Sequence, residues 1–105
     1  FHLNAADKTA TGVEMLYWHN SKKSRELAEN MQRANVEATH LKDRKILPRV
    51  RGDRGWTLLY KTVMPCVIVE SGFITNKNDM EVLEATKKEL AKYYVAAVKN
   101  YWNNN

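Results

Sequence analysis

Apolar positions follow two periods along this chain. Leu27, Ala28, Met31, Ala34, Asn35 and Ala38 recur three or four residues apart, and Lys22, Arg25, Glu29 and Glu37 fall on the opposite side. That spacing predicts an amphipathic helix from a cap at Asn20 or Ser21 to about Thr39. Met80, Leu83, Leu90, Tyr94, Ala97 and Tyr101 form a second stripe, predicting a long helix to about Trp102. Asn78 with Glu81 resembles its capping box. Elsewhere the period shortens. Gly12 to His19 alternates imperfectly and is rich in Val, Tyr and Trp, which reads as a strand. Val63 to Glu70 reads as a buried strand, and Phe1 to Ala6 as the end of another. Pro48 and Gly52 break the stretch from His40 to Gly55, which reads as a loop. Trp56 to Lys61 fits either a short strand or a helical turn. Strands alternating with helices predict an α/β fold, a sheet of parallel or mixed strands covered by helices. About three strands and two main helices are expected over residues 1–102, with 103–105 a tail or the start of a linker.

Composition narrows the class. A chain of 105 residues makes at most one small domain. A hydrophobic share of 44% suffices for a core, and four Gly and two Pro with no low-complexity stretch argue against a disordered linker. No run of about 18 apolar residues exists to span a membrane as a helix. The single Cys66 has no internal disulfide partner and reads as a packed thiol. The net charge of +5 suits an anionic partner: nucleic acid, a membrane surface or a wall polymer. Its densest part is Lys42, Arg44, Lys45, Arg49, Arg51 and Arg54, faced only by Asp43 and Asp53 and followed by Trp56. This leaves a non-catalytic basic module for nucleic acid or wall polymer as the alternative reading. A single nearby aromatic and no known nucleic-acid motif weigh against it.

Glu70 is the first candidate for chemistry. It ends the apolar run Val67-Ile68-Val69 and precedes Ser71-Gly72, where the chain is expected to turn out of the sheet. A buried carboxylate needs a partner or a chemical role. In open α/β sheets, sites lie at the carboxyl ends of strands.

The same segment carries a resemblance. Met64-Pro65-Cys66-Val67-Ile68-Val69-Glu70-Ser71-Gly72-Phe73-Ile74-Thr75-Asn76 is similar to the "MPAVLVELGFISN" signature of the zinc-dependent N-acetylmuramoyl-L-alanine amidases, the cell-wall hydrolases of autolysins and phage endolysins. Phe1-His2-Leu3-Asn4-Ala5-Ala6 followed by Gly12-Val13-Glu14-Met15-Leu16-Tyr17-Trp18 resembles that family's "SIHANA…GVETYY". Leu41-Lys42-Asp43-Arg44-Lys45-Ile46-Leu47 resembles its "LRDRGIK" loop. The three blocks stand in the family's order.

The resemblance implies a peptidoglycan hydrolase that cleaves the amide between N-acetylmuramic acid and the L-alanine of the stem peptide. It implies Zn2+ as cofactor, Glu70 as general acid/base and His2 as one zinc ligand. Asn4 and Glu14 become candidates to support the site or meet substrate, each with an ordinary structural alternative. Arg44 becomes a candidate for a peptide carboxylate, or an exposed loop arginine. His19 and His40 match no metal position and read as surface residues. The family's "DPGHGG" block and its ligand Glu have no counterpart here. The chain therefore resembles the C-terminal part of a catalytic domain, expected to be inactive without the N-terminal part. Its expected place of action is the bacterial cell wall, reached by secretion or by release from the host cytoplasm.

Overall fold

The computed structural model describes all residues, 1–105. Seven elements follow in order: β1 (His2–Asn4), β2 (Val13–Trp18), α1 (Lys22–Thr39), β3 (Asp43–Arg49), α2 (Trp56–Lys61), β4 (Ile68–Phe73) and α3 (Lys77–Asn103). The strands form one mixed sheet in the order β1-β4-β2-β3. β1 runs parallel to β4 and β2 parallel to β3, while β2 and β4 meet antiparallel. The α/β architecture is as the alternating periods predict, with four strands rather than three.

Both long helices cover one face. Val13, Met15 and Tyr17 of β2 and Val69 of β4 pack with Ala28, Met31 and Ala34 of α1 and with Leu83, Leu90, Tyr94 and Ala97 of α3. Alternate strand residues point to the same face, so this set leaves Glu14, Leu16 and Glu70 on the other. Each large apolar side chain buried here contributes roughly 1.5–3 kcal/mol. Polar side chains join the layers. The Tyr94 hydroxyl donates to Asn35 Oδ1 of α1 and is hydrogen-bonded to Ser71 Oγ of β4 at 2.8 Å. Asp79, fully buried in the first turn of α3, accepts from the Thr11 hydroxyl and from the backbone N–H groups of Gly12 and Phe73.

Several local expectations change. Within the predicted loop lies β3, an edge strand beside β2. Pro48 fits there because an edge strand tolerates a missing N–H. β4 starts at Ile68, not Val63, and Val63 and Met64 are exposed. Glu70 therefore stands inside the strand, and Gly72 continues it instead of turning the chain out. At Gly72 a Cβ would lie 2.9 Å from Leu83 Cδ1, so the missing side chain lets α3 approach. The register slips beside it: His2 pairs with Glu70, but Asn4 pairs with Phe73. The extra β4 residue is a bulge that returns Phe73 to the Glu70 face. Asn76, not Asn78, caps α3 by accepting from the Asp79 N–H at 2.9 Å. Ser21 caps α1 by accepting from the Ser24 N–H. Trp56–Lys61 is helical.

Candidate active site

Strand register assembles a row of polar groups on the face opposite α1 and α3. His2 of β1 pairs with Glu70 of β4, and Glu70 pairs with Glu14 of β2. Directly opposed residues put their side chains on one face, about 4.5–5.5 Å apart at Cβ. One imidazole and two carboxylates thus lie side by side across three strands.

Glu70 is 1% exposed. Arg54 Nη1 donates to its Oε1 at 2.6 Å. The His2 Nδ1 lies 3.6 Å from Oε2. Oε2 itself is buried and has no hydrogen-bond partner in the chain. Glu14 is also buried and is surrounded by donors. Asn4 Nδ2 donates to its Oε1 at 2.7 Å, Arg54 Nη2 lies 3.6 Å from the same oxygen, and Arg44 Nε lies 3.6 Å from Oε2. Like charges opposed on neighbouring strands repel. Two guanidinium groups balance the two carboxylates here, and a buried carboxylate without such a partner would be strongly destabilising.

The loop before α2 delivers Arg54. Gly55 adopts φ 83°, and a Cβ there would lie 2.6 Å from Ile68 Cδ1. Only glycine combines that backbone with so close an approach to the sheet. Leu59 of α2 and Leu16 of β2 are buried on this same side of the sheet.

The structure brings all five residues singled out by sequence onto one face, His2 beside Glu70 and Asn4 and Arg44 around Glu14. His2 and Glu70 are adjacent. Asn4 turns its amide to Glu14, and its Oδ1 accepts from the Ala5 N–H. Glu14 sits inside the sheet at the centre of the polar network. Arg44 flanks Glu14, lies 5.0 Å above the Phe73 ring, and donates to the Thr11 carbonyl at 3.4 Å. His19 and His40 are exposed, and His40 ends α1 in a left-handed conformation. The chain forms no group of three His, Cys, Asp or Glu side chains able to hold a metal ion. Arg54 is the site residue that sequence reasoning missed. It stood among the loop cations, and only its contact with Glu70 separates it from them. Glycine on both sides of Asp53-Arg54 was the available signal for a shaped loop.

That contact also alters the meaning of the basic stretch. Arg44 and Arg54 face Glu14 and Glu70, Lys45 faces Asp43, and Arg49 faces Asp53. Arg51 lies over the Trp56 and Tyr60 rings. Most of these cations are occupied within the chain, which weakens the case for a nucleic-acid surface.

The family model Amidase_3, N-acetylmuramoyl-L-alanine amidase, matches residues 1–100. The chain belongs to this family. It is 40% identical over 100 residues to N-acetylmuramoyl-L-alanine amidase CwlM of Mycobacterium tuberculosis H37Rv, covering 89% of this chain and 23% of that protein. The crystal structure of an N-acetylmuramoyl-L-alanine amidase from Clostridium difficile 630 superposes with a TM-score of 0.84 at 30% identity, covering 97% of this chain and 55% of that one. The catalytic domain of the CD27L endolysin targeting Clostridia difficile superposes with a TM-score of 0.78 at 28% identity, covering 94% and 51%. The chain thus spans about half the length of these solved amidases. The amidase fold seen in them is the mixed sheet with its helices described above.

Proposed function

We propose that this chain is the part of a peptidoglycan amidase that carries the general acid/base, Glu70, and one zinc ligand, His2. The substrate bond is the amide between N-acetylmuramic acid and the L-alanine of the stem peptide. The observation that carries the reading is the pairing of His2 with a buried Glu70 whose Oε2 has no partner in the chain.

The donor chemistry fits a zinc ion. With its proton on Nδ1, His2 donates to the Leu3 carbonyl at 3.2 Å and keeps a free lone pair on Nε2. A catalytic zinc takes three protein ligands, so the remaining ligands must come from residues outside these 105. When bound, the ion supplies polarisation of the amide carbonyl and a water acidified to a pKa of ~7. Glu70 does the rest of the proton work. An amide nitrogen is a poor leaving group until it is protonated. Glu70 Oε2 takes the proton of the attacking water and returns it to that nitrogen as the C–N bond breaks. The sheet row keeps Glu70 beside His2. Asn4 and the two arginines hold Glu14 in the sheet, and Glu14 in turn steadies Arg54. In this reading Arg44 supports Glu14.

Glu70→Gln in the complete protein keeps the shape of the side chain and removes its basicity. Wall hydrolysis should fall by at least about 100-fold, with zinc content unchanged by elemental analysis. Retained activity would remove Glu70 from the chemistry. Lost zinc would make it a metal-site residue instead.

A further inference from the structure

We propose that Arg54 is a positioning residue that selects which oxygen of Glu70 works. The inference rests on Glu70 being the acid/base of the amidase reaction.

A carboxylate has two oxygens, and a proton shuttle is efficient only when one of them is held at a fixed distance and direction from the reacting atoms. In Glu70 the two differ sharply. Oε1 receives a charged hydrogen bond of 2.6 Å from Arg54 Nη1. Oε2 is buried, unpartnered, and 3.6 Å from the imidazole of His2. Arg54 cannot swing freely, because Nη2 also lies 3.6 Å from Glu14 Oε1. Glu14 is fixed in turn by Asn4 and Arg44. The guanidinium is a planar fork whose two nitrogens point at two carboxylates on adjacent strands, a geometry that an ammonium group does not reproduce. The loop backbone adds a further restraint, since Gly55, at φ 83°, lies so close to Ile68 that a Cβ would clash with it.

The consequence is a division of labour. Oε1 is tied up as an acceptor, so it is removed from the chemistry and the χ3 torsion of Glu70 is locked. Oε2 is left as the oxygen that accepts and returns the proton. Without Arg54 the two oxygens exchange by rotation, Oε1 becomes a competing acceptor, and the reactive lone pair is held in place for a smaller share of the time. Arg54 touches no reacting atom in this scheme. Half of its side chain is exposed, so a small cation has a route to the position it occupies.

The test uses the complete zinc-loaded enzyme and a soluble muropeptide, with Arg54→Ala and Arg54→Lys beside Glu70→Gln. The expected result is a fall in kcat of about 100-fold for R54A, with KM within about twofold of wild type on the same principle of lost orientation. R54K should lie between the two, since one ammonium can hold Oε1 without bridging to Glu14. Millimolar guanidinium ion should restore much of the R54A rate and none of the E70Q rate. The fall in kcat at constant KM, read on R54A shown by circular dichroism to be folded, is what separates positioning from a merely structural role. Should R54A fail to fold, R54K carries the test, and its kcat must still fall while KM holds. Wild-type kcat in the folded arginine variants, or a loss seen only in KM, overturns the proposal. An active E70Q instead overturns the reading beneath it, so the two failures are told apart.

Discussion

At the residue scale, two buried polar groups set measurable properties. Tyr94 is 8% exposed, and burial pushes its phenol up to about 12, against a lowering by its hydrogen bond to Ser71. The folded state therefore resists ionisation that the unfolded chain undergoes near pH 10. The stabilisation is complete below pH 10 and is lost as the pH climbs from about 10 to 12. A shift of that size is worth about 2–3 kcal/mol. Urea midpoints measured from pH 9 to 12 should fall for the wild type and fall less for Tyr94→Phe. A second residue, Asp79, ties the loop after β1 to β4 and to α3 through three donors. Asp79→Ala leaves two buried backbone N–H groups without acceptors and should destabilise by about 3 kcal/mol, seen as a lower denaturant midpoint at unchanged slope. Glu70 was visible in the sequence at this scale because it closes an apolar run and stands inside the segment that resembles the amidase signature; position alone also allowed a solvated carboxylate at a strand end. Asp79 and Arg54 were not visible. Each acts through contacts across the fold, and in a local window only the flanking glycines Gly52 and Gly55 set Arg54 apart from Arg49 and Arg51.

At the element scale, both long helices and the central strands follow from periodicity, because each buries a stripe wide enough to leave a pattern. The failures have a common cause. β3 is an edge strand whose side chains are mostly exposed or half-buried, so burial imposes no alternation on Asp43–Arg49. β4 begins later than the apolar run because Val63 and Met64 are apolar yet exposed, and the strand continues through Glu70, Ser71 and Gly72, which read as its end. α2 is a single short helix with one buried residue, Leu59. What fixes α2 is its entry at Gly55. Gly55→Ala forces a Cβ against Ile68 Cδ1 and strains a left-handed backbone. Its stability should drop by about 1–3 kcal/mol, and the displaced loop should carry Arg54 away from Glu70. Circular dichroism melts would report the first effect and kcat the second. A Gly55→Ala protein that melts and turns over like wild type would mean that the loop position does not matter to the site.

At the scale of the whole molecule, the sheet with α1 and α3 on one face and the short α2 on the other makes a slab with principal-axis extents of 35 × 33 × 16 Å. Its polar face carries Glu70 and His2 at a join between strands, and β1 is an outer strand of the sheet. An outer strand of three residues leaves backbone donors and acceptors open to a further strand. His2 stands on that strand with its side chain 69% exposed. On the proposed reading of His2 as a zinc ligand, this exposure and the lack of two companions in the chain call for further ligands from a segment laid beside β1. This makes a prediction about composition as well as activity. Native mass spectrometry of the isolated 12.2 kDa chain should show no tightly held zinc, because a lone imidazole binds the ion weakly compared with three ligands. The complete protein should hold zinc in a stoichiometric complex, and His2→Ala should deplete it while the α/β fold persists by circular dichroism. Stoichiometric zinc on the isolated chain would show that the site is built within these 105 residues and would require ligands other than the ones the strand register brings together. Zinc retained in full by His2→Ala would remove His2 from the metal and leave its pairing with Glu70 as its only role.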